Sequence, residues 1–554
     1  MSQWTIPSSG PVYFSNIAFM LGISTYNMNS FRAPIGTYTP GSDISGASQT
    51  TLNIDIFHSK TRLGCPRWST RMGSIGANDA GNALEIDSSN NYIVAGHYNG
   101  ATCFFYDAPG TTSTGSLAQI GSYDTFIAKY NYNGILQWAA RAGGTGQDFA
   151  YTLGMTPNGN EIYVSGAINP GSPLMNIYDP SGTLWGTINN VSSNSYSSFI
   201  IKRNGSGSTL WVARMGSTGN RDTTIYRSVV SADGSLYVGG RFGNTFSIYN
   251  GGASGGGTFW GAMNVISTVG YDVFLVKYNS TGAVQWAAKG GGVGSETLQT
   301  SRLASDSTNA VYLQVAYSNA YSVYNGGGSN AQTLWGTINP VSTPADQCLI
   351  KYNSAGAVQW AVRWGSPSAE QASSTVCDTT DNSVYATGSG TDFIQVYNSS
   401  GALAATIAGG GFVFKFDANG NFLWNVRVGG GAVSNVAITS NRDIVGSGWL
   451  PASGGTFYNA SNVLCNTVGA STFGPAFIAC WDRNGSFLWV TTSTGNTAGV
   501  LLNTVAANDR RVGGCITTSN TPQNFLTPSG VTQSTQNLIP GGTGIDVFLV
   551  SYLF

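Results

Sequence analysis

Charged side chains are scarce in this chain of 554 residues. Asp, Glu, Lys and Arg together make up 9% of it, against about 25% in an ordinary soluble domain. The 24 basic and 25 acidic residues leave a net charge of -1. A surface with so little net charge does not draw in the phosphates of a nucleic acid or an anionic membrane. We therefore expect no nucleic-acid partner.

Histidine and paired cysteine motifs are also lacking. His58 and His97 are the two histidines, so most metal and acid–base chemistry built on imidazole is excluded. The 7 cysteines are odd in number and show no C-x-x-C spacing, which argues against a zinc site or a disulfide framework. The sequence contains no G-x-S-x-G, P-loop or H-E-x-x-H motif. We expect no catalytic residues, no cofactor and no metal.

Long apolar runs are absent as well. No stretch approaches the roughly 20 residues that span a bilayer, and the N-terminus has no basic segment followed by an apolar core. We therefore expect no membrane insertion and can read no export signal. Glycine, with 75 residues, and aromatic side chains, at 12%, are abundant instead, which favours a packed fold rich in turns.

One tryptophan motif recurs seven times, and six of its copies carry a basic residue three positions later. The spacings between copies are 70, 73, 75, 74, 64 and 65 residues. The tryptophans are Trp68, Trp138, Trp211, Trp286, Trp360, Trp424 and Trp489. A second motif, F-I-A-K-Y-N in the copy at Phe126, precedes each tryptophan but the first. Both motifs show the two-residue periodicity of β-strands. Between them lie turns in which an Asn or Asp precedes a Gly by three residues.

Each unit therefore predicts four antiparallel strands, A to D, with the tryptophan on strand D. Repeats of this kind build β-propellers. The first tryptophan strand lacks strands A to C, and the last set of A to C lacks a strand D. We predict an all-β, seven-bladed propeller over residues 63–554, with residues 65–72 closing the ring as strand D of the last blade. The pattern D-x-F-V-x-K, G-x-x-x-W and a Gly-rich turn resembles the SBBP-type β-propeller repeat, which implies this fold and says little about activity.

Extra sequence lies between strands B and C of each unit. Its sub-motifs pair a tyrosine with a tryptophan, as in N-I-Y-D and T-L-W-G. We expect these insertions to form a crown of hairpins on the face where the blades connect, a first candidate for a binding surface. The alternative is that their aromatic side chains only pack neighbouring hairpins together. These side chains are Tyr178, Trp185, Tyr249, Trp260, Tyr324 and Trp335.

An acidic residue follows the tryptophan by ten or eleven positions in five units. A ring of such carboxylates near the central channel would suit a cation. The basic residue of the same unit offers each acid an internal partner, and we interpret the pairs as structural ion pairs. The pairs are Arg71 and Asp79, Arg141 and Asp148, Arg214 and Asp222, Lys289 and Glu296, and Arg363 and Glu370. Whether the ring also holds a cation stays open.

Residues 1–62 lie outside the repeat and form an arm and linker. Ser15 can cap a short helix from Asn16 to Leu21. A helix this short needs a docking partner in water, either another protein or its own propeller. The apolar side chains available for that contact are Ile17, Phe19, Met20 and Leu21.

The arm carries a second resemblance. From Ile6 it reads I-P-S-S-G-P-V-Y-F-S-N-I-A-F-M-L-G, which resembles the opening segment of structural proteins of tailed phages and large DNA viruses. It departs from them by having Asn16 and Met20 where they usually have Asp and Glu. The resemblance implies a virion-associated protein that attaches to its particle through this arm.

Our first hypothesis is a non-enzymatic virion protein at the particle surface. Residues 1–62 would bind other virion proteins at the capsid, vertex or tail, and the propeller would contact a virion protein or a host-surface glycan or receptor. The alternatives are a bacterial extracellular lectin or adhesin, and a propeller hydrolase or lyase that uses the carboxylate ring. The sequence leaves the ligand, the location within the particle and the formation of a homo-oligomer open.

Overall fold

Every regular element of the described residues is a β-strand. The computed structural model describes residues 65–553 except 76, 109–112, 218, 267–268, 295, 297–302, 343–344, 369, 472–473, 495–500, 509–510, 519–522, 527–531 and 537–545. All of them belong to the unit Gly64–Leu553. They form 42 strands in seven sheets of six, and among them there is no helix that could cross a membrane.

Each sheet is one blade, and its strands follow one another in the order A, B, C, D and two further strands. Blades 1 to 4 follow in chain order. Blade 1 contains β2 (Ala80–Ile86), β3 (Tyr92–Tyr98), β6 (Asp124–Tyr130), β7 (Leu136–Gly143), β10 (Leu174–Tyr178) and β11 (Leu184–Asn189). Blade 2 contains β8 (Phe149–Met155), β9 (Glu161–Ile168), β12 (Ser197–Asn204), β13 (Thr209–Gly216), β16 (Phe246–Tyr249) and β17 (Phe259–Met263). Blade 3 contains β14 (Thr223–Val230), β15 (Leu236–Phe242), β18 (Asp272–Tyr278), β19 (Val284–Gly291), β22 (Tyr321–Tyr324) and β23 (Leu334–Ile338). Blade 4 contains β20 (Leu303–Ser305), β21 (Val311–Tyr317), β24 (Asp346–Tyr352), β25 (Val358–Gly365), β28 (Ile394–Tyr397) and β29 (Leu403–Ile407).

Blades 5 to 7 complete the ring, and the last of them combines strands from both ends of the described chain. Blade 5 contains β26 (Gln371–Asp378), β27 (Ser383–Gly390), β30 (Gly410–Phe416), β31 (Phe422–Gly429), β34 (Gly455–Tyr458) and β35 (Leu464–Val468). Blade 6 contains β32 (Ala432–Ile438), β33 (Ile444–Trp449), β36 (Ala476–Trp481), β37 (Phe487–Thr494), β40 (Gln523–Leu526) and β41 (Thr532–Gln536). Blade 7 contains β38 (Leu501–Asn508), β39 (Arg511–Thr518), β42 (Asp546–Leu553), β1 (Cys65–Ser74), β4 (Thr102–Tyr106) and β5 (Ser113–Ala118).

The four inner strands of each blade are the predicted strands A to D, and the prediction of seven blades is confirmed. The predicted closure is confirmed too. Strand β1 pairs antiparallel with β42, from Cys65 opposite Leu553 to Met72 opposite Val547. The first tryptophan strand is therefore strand D of the last blade, which leaves no open edge between the two.

The two outer strands of each blade come from the next unit along the chain. The hairpin β10–β11 follows strand B of blade 2, yet β10 pairs with β7 of blade 1, where Asn176 lies opposite Gly143. All seven insertions between strands B and C do the same. The insertions are therefore where the sequence predicts them, but the predicted crown is wrong, because each hairpin extends the sheet of the preceding blade.

The tryptophan of strand D ties five of the blades to the next one. The indole Nε1 of Trp211 in blade 2 donates to the backbone oxygen of Ser280, in the C–D turn of blade 3, at 3.1 Å. The ammonium of Lys202 on strand C donates to the same oxygen at 2.7 Å. Gly282 in that turn has φ +91, and a Cβ there would meet the Trp211 ring at 3.1 Å, so the turn requires glycine. The same indole bond joins Trp68 to Tyr132, Trp138 to Gly205, Trp286 to Ser354 and Trp360 to Ala418.

Trp489 in blade 6 is an exception that the chain ends explain. Its indole nitrogen is buried and has no hydrogen-bond partner among the described residues. Cys480 stands where blades 1 to 5 have the strand-C lysine. Blade 7 has no C–D turn to offer an acceptor, since its strand C is β42 and its strand D is β1.

This difference provides a matched pair of variants. We expect Trp211→Phe to lower the free energy of unfolding by about 1 kcal/mol more than Trp489→Phe, because only Trp211 loses a hydrogen bond. Both variants lose similar ring surface, so that loss cancels in the comparison. Urea unfolding followed by circular dichroism measures both values, and equal losses would contradict the proposed tie.

Candidate functional site

The motif bases on strand D hold the hairpin tyrosines in place. The guanidinium carbon of Arg214 lies 4.2 Å from the ring centre of Tyr249, and its Nη1 donates to the backbone oxygen of Asn189 at 3.0 Å. A cation over an aromatic face stabilises the contact, most strongly where water is partly excluded. The hairpins are thus fastened to the strand D that they extend. Equivalent pairs are Arg71 and Tyr106, Arg141 and Tyr178, Lys289 and Tyr324, Arg363 and Tyr397, and Arg427 and Tyr458.

The motif acids instead close the loops between strand D and the next strand A. Asp148 accepts from the backbone N–H groups of Gly144 at 2.6 Å and Asn169 at 3.2 Å. Asp222 accepts from the N–H of Tyr196 at 2.9 Å. The structure therefore replaces the expected ion pairs with two separate contacts, a tyrosine for each base and hydrogen bonds from loop groups for four of the five acids. Asp79 accepts from Ser74 and Asn99, Glu370 accepts from Ser366, and Glu296 is buried near Asp272.

Burial raises the pKa of four of these carboxyl groups. It raises the pKa of Asp148 to about 7, and a smaller rise comes from the nearby carboxylate of Asp124. Burial also raises the pKa of Glu296 and of Glu370 to about 7, and that of Asp79 to about 6. Within the described part of the chain, no group of three or more His, Cys, Asp or Glu side chains could hold a metal.

The raised pKa values predict that the fold is more stable in mild acid than in mild base. The carboxyl groups of the unfolded chain titrate near about pH 4, so between about pH 8 and 6.5 only the carboxyl groups of the folded state take up protons, and the free energy of unfolding rises as the pH falls. His97 acts in the opposite direction, mainly below about pH 6.5, because burial lowers its pKa to about 4.

Thermal unfolding at the two pH values measures this effect. We expect Tm to be higher at pH 6.5 than at pH 8, and Asp148→Asn to reduce the difference. Asp233→Asn is the control, because the Asp233 side chain is 40% exposed and its pKa is lowered, so it stays ionised throughout. A Tm that falls between pH 8 and pH 6.5 would contradict the buried, protonated carboxyls.

One surface breaks the sevenfold repeat. The position just before strand C holds Tyr123, Tyr196 and Tyr271 in blades 1, 2 and 3. A β-bulge at a fixed place in strand A presents Tyr151 in blade 2 and Tyr226 in blade 3, and bulges commonly redirect a side chain toward a site. The matching residues are Ala345, Gly409 and Gly474, three residues before Cys348, Phe412 and Phe477 in blades 4 to 6, and Ser373 and Ser434 at the bulges of blades 5 and 6.

Ring contacts join these residues into one continuous strip. The ring of Phe149 lies 5.4 Å from that of Tyr123 and 5.9 Å from that of Tyr151, measured between centroids. Tyr151 lies 5.4 Å from Tyr226. The guanidinium of Arg241 then rests on two rings, 5.5 Å from the centre of Tyr226 and 4.3 Å from that of Tyr271. We call these residues the mouth strip: Tyr123, Phe149, Tyr151, Tyr196, Tyr226, Arg241 and Tyr271, all half-buried.

The mouth strip lies at the rim of the central channel. A cavity of about 250 Å³ there is lined by residues of strand A from blades 1 to 6, and Tyr151 belongs to both the cavity lining and the strip. The Nε of Arg241 is buried and has no hydrogen-bond partner among the described residues. The strip therefore offers flat aromatic faces for stacking and an arginine with hydrogen-bonding capacity to spare.

The sequence-predicted binding residues divide into two groups. The bases on strand D cover Tyr178, Tyr249 and Tyr324, which makes these tyrosines part of the scaffold. Trp185 and Trp260 are half-buried, whereas Trp335 is 41% exposed. The predicted anchor residues Ile17, Phe19, Met20 and Leu21 lie outside the described residues. Sequence reasoning missed the mouth strip, although its signal was present in the aromatic residues that only three units carry before strand C.

Comparison with known proteins gives one relative by sequence. An uncharacterised WD repeat-containing protein of Acanthamoeba polyphaga mimivirus is 24% identical over 545 residues. The match covers 85% of this chain, which in turn spans 38% of that protein. No protein-family model matches, so the resemblance to the SBBP-type repeat stays a prediction.

Solved structures similar to this chain include other propellers. The Dos1 propeller is 9% identical, with 87% of this chain and 95% of that chain covered and a TM-score of 0.35. A eukaryotic initiation factor is 10% identical, with 87% and 98% covered and a TM-score of 0.33. At these scores the likeness carries no argument about function, and the propeller assignment rests on the strand pairing itself.

Proposed function

We propose that this protein is a non-enzymatic attachment module of a virus particle, and that the mouth strip is its ligand-binding surface. The observation that carries the proposal is the strip itself, a continuous run of half-buried aromatic rings on three of seven otherwise similar blades. A scaffold alone has no need of this asymmetry. The similarity to a mimivirus protein and the resemblance of residues 6–22 to viral structural proteins support the placement on a virion.

The ligand that fits the strip best is a host-surface glycan. Aromatic faces stack on the apolar faces of sugar rings, and tyrosine hydroxyl groups bond to sugar hydroxyls. Arg241 is the strip's one charged side chain and has a buried Nε without a partner in the described residues. A sugar that carries a carboxylate would pair with the guanidinium charge and should bind more tightly than a neutral one.

The carboxylate ring does not favour the hydrolase or lyase alternative. Asp148, Glu296 and Glu370 are 0%, 1% and 3% exposed, which leaves them little contact with a substrate. A catalytic acid must come within hydrogen-bond distance of the bond it cleaves. We therefore propose that the protein catalyses no reaction.

Glycan binding by the full-length protein tests the role of the mouth strip. On a panel of neutral and carboxylated glycans, we expect Tyr151→Leu with Tyr226→Leu to lower affinity about tenfold or more, through the loss of stacking. Arg241→Gln should lower the affinity for carboxylated glycans only. The control is Tyr132→Leu, because Tyr132 is 46% exposed and lies in a C–D turn outside the strip. Unchanged affinity in the double variant, at an unchanged Tm, would contradict the proposal.

Co-sedimentation with purified virus particles tests the arm. We expect the full-length protein to pellet with particles of the virus that encodes it. The double variant Ile17→Ser with Phe19→Ser should abolish pelleting, because the apolar contact is lost. Tyr38→Ser, in the linker, is the control. A wild-type protein that stays in the supernatant would contradict the virion assignment without affecting the glycan test.

A further inference from the structure

The outermost strand of each blade has one edge that its own sheet leaves unpaired. In blade 1 the loop of the next hairpin covers this edge. Gly255 forms a parallel bridge with Ile188, and its N–H donates to the backbone oxygen of Thr187 at 2.6 Å. The N–H of Thr187 in turn donates to the hydroxyl of Ser254 at 2.9 Å. The turn formed by residues 253–256, in which the N–H of Gly256 donates to the oxygen of Ala253, thus satisfies the N–H and the C=O that Thr187 turns outward.

Blade 2 repeats this arrangement with a different loop. The N–H of Ala262 donates to the hydroxyl of Ser329 at 2.9 Å, and the N–H of Asn330 donates to the oxygen of Ala262 at 3.0 Å. The two loops therefore use the same chemistry, a serine hydroxyl followed by a main-chain N–H.

A glycine in the edge strand makes room for the serine. A Cβ on Gly186 would lie 2.8 Å from the Cβ of Ser254, and a Cβ on Gly261 would lie 2.5 Å from that of Ser329. Real side chains do not approach this closely, so the glycine of the W-G sub-motif is required by the neighbouring loop. In the other blades, the space beside the matching glycine therefore shows whether a loop covers the edge.

Blade 3 keeps the sequence but lacks the loop. Strand β23 continues as L-W-G-T-I-N, identical to the edge strand of blade 1. Nothing lies within 4 Å of the Cβ position of Gly336, and Thr337 is exposed whereas Thr187 is half-buried. Trp335 is 41% exposed, whereas Trp185 of blade 1 is half-buried. The next hairpin cannot cover this edge, because its strands β28 and β29 are joined by residues 398–402 alone.

We propose that the open edge of blade 3, Leu334–Ile338, binds a tight Gly- and Ser-rich turn of a partner protein. This turn takes the place that Ala253–Gly255 takes on blade 1. Its serine hydroxyl accepts from the N–H of Thr337, the following N–H donates to the oxygen of Thr337, and the serine Cβ lies over Gly336. An exposed sheet edge offers unpaired N–H and C=O groups to such a partner.

The partner is another protein and not a second copy, because both Gly- and Ser-rich loops described here already cover edges of their own propeller. The site lies on the outermost strand, whereas the mouth strip borders strand A and the channel. The inference is therefore independent of the proposed attachment function, and either one can fail without the other.

A peptide with the sequence of residues 250–258, N-G-G-A-S-G-G-G-T, tests the site on the full-length protein. With a photoreactive group at its end, we expect cross-links within residues 334–338 at millimolar peptide. Gly336→Val fills the empty space and leaves the fold intact, since nothing lies within 4 Å. This variant, or a peptide with alanine for serine, should lower the yield about tenfold, as expected for one or two lost hydrogen bonds.

Gly469→Val is the matched control, because Gly469 is exposed and also has nothing within 4 Å of its Cβ position. It should leave the yield unchanged. Cross-links that map elsewhere, or a yield that Gly336→Val does not change, would overturn the proposal. Sedimentation of the protein alone adds a further check, because a dimer that Gly336→Val dissociates would assign the edge to a second copy instead.

Discussion

The sharing of hydrogen bonds between blades is the constraint on which this propeller depends. One carbonyl in a C–D turn accepts both the indole N–H and the ammonium of the preceding blade, as Ser280 does for Trp211 and Lys202. The two blades are also joined by a hairpin, because the B–C insertion of each unit forms the two outer strands of the preceding blade. A blade is therefore incomplete without its neighbours, and the ring is held together even though only 9% of its residues are charged. The scarce charges serve these contacts: Lys202, for example, also pairs with Glu161 at 2.7 Å.

The number of blades and the closure of the ring could be predicted because they depend on local patterns that recur. The blade that each hairpin joins could not be predicted, because the sub-motif at Tyr178 indicates that a hairpin forms but not which sheet edge it pairs with. The ion-pair hypothesis failed to foresee the contacts of Arg141 and Asp148 for a related reason. Closeness in sequence suggested contact, but the base turns outward to the hairpin while the acid folds back into its own loop. The glycine between them is required for yet another partner, because a Cβ on Gly143 would lie 1.9 Å from Oδ1 of Asp124.

The candidate binding surfaces lie where the repeat is broken. Residues that recur in most units, such as the tyrosines in six of the seven hairpins, are occupied by the scaffold. The mouth strip is carried by three blades, and its arginine, Arg241, stands where other blades have His97, Ala167 or Ser389. At the edge of blade 3, by contrast, the edge-strand sequence of blade 1 is repeated but no loop covers it. Searching the sequence for shared residues finds the fold of such a protein, and searching for the exceptions finds its sites.

Hydrogen exchange at the outermost strands tests this account most directly, because it reads the covered and the open edges in one experiment. The amides of Thr187 and Ala262 donate to serine hydroxyls of the neighbouring loops, whereas Thr337, Thr406 and Thr467 occupy the same position in blades 3, 4 and 5 and are exposed. Slow exchange in blades 1 and 2 and fast exchange in blades 3 to 5 is the expected result. Equal rates in all five blades would contradict the covering of the edges of blades 1 and 2 by the neighbouring loops.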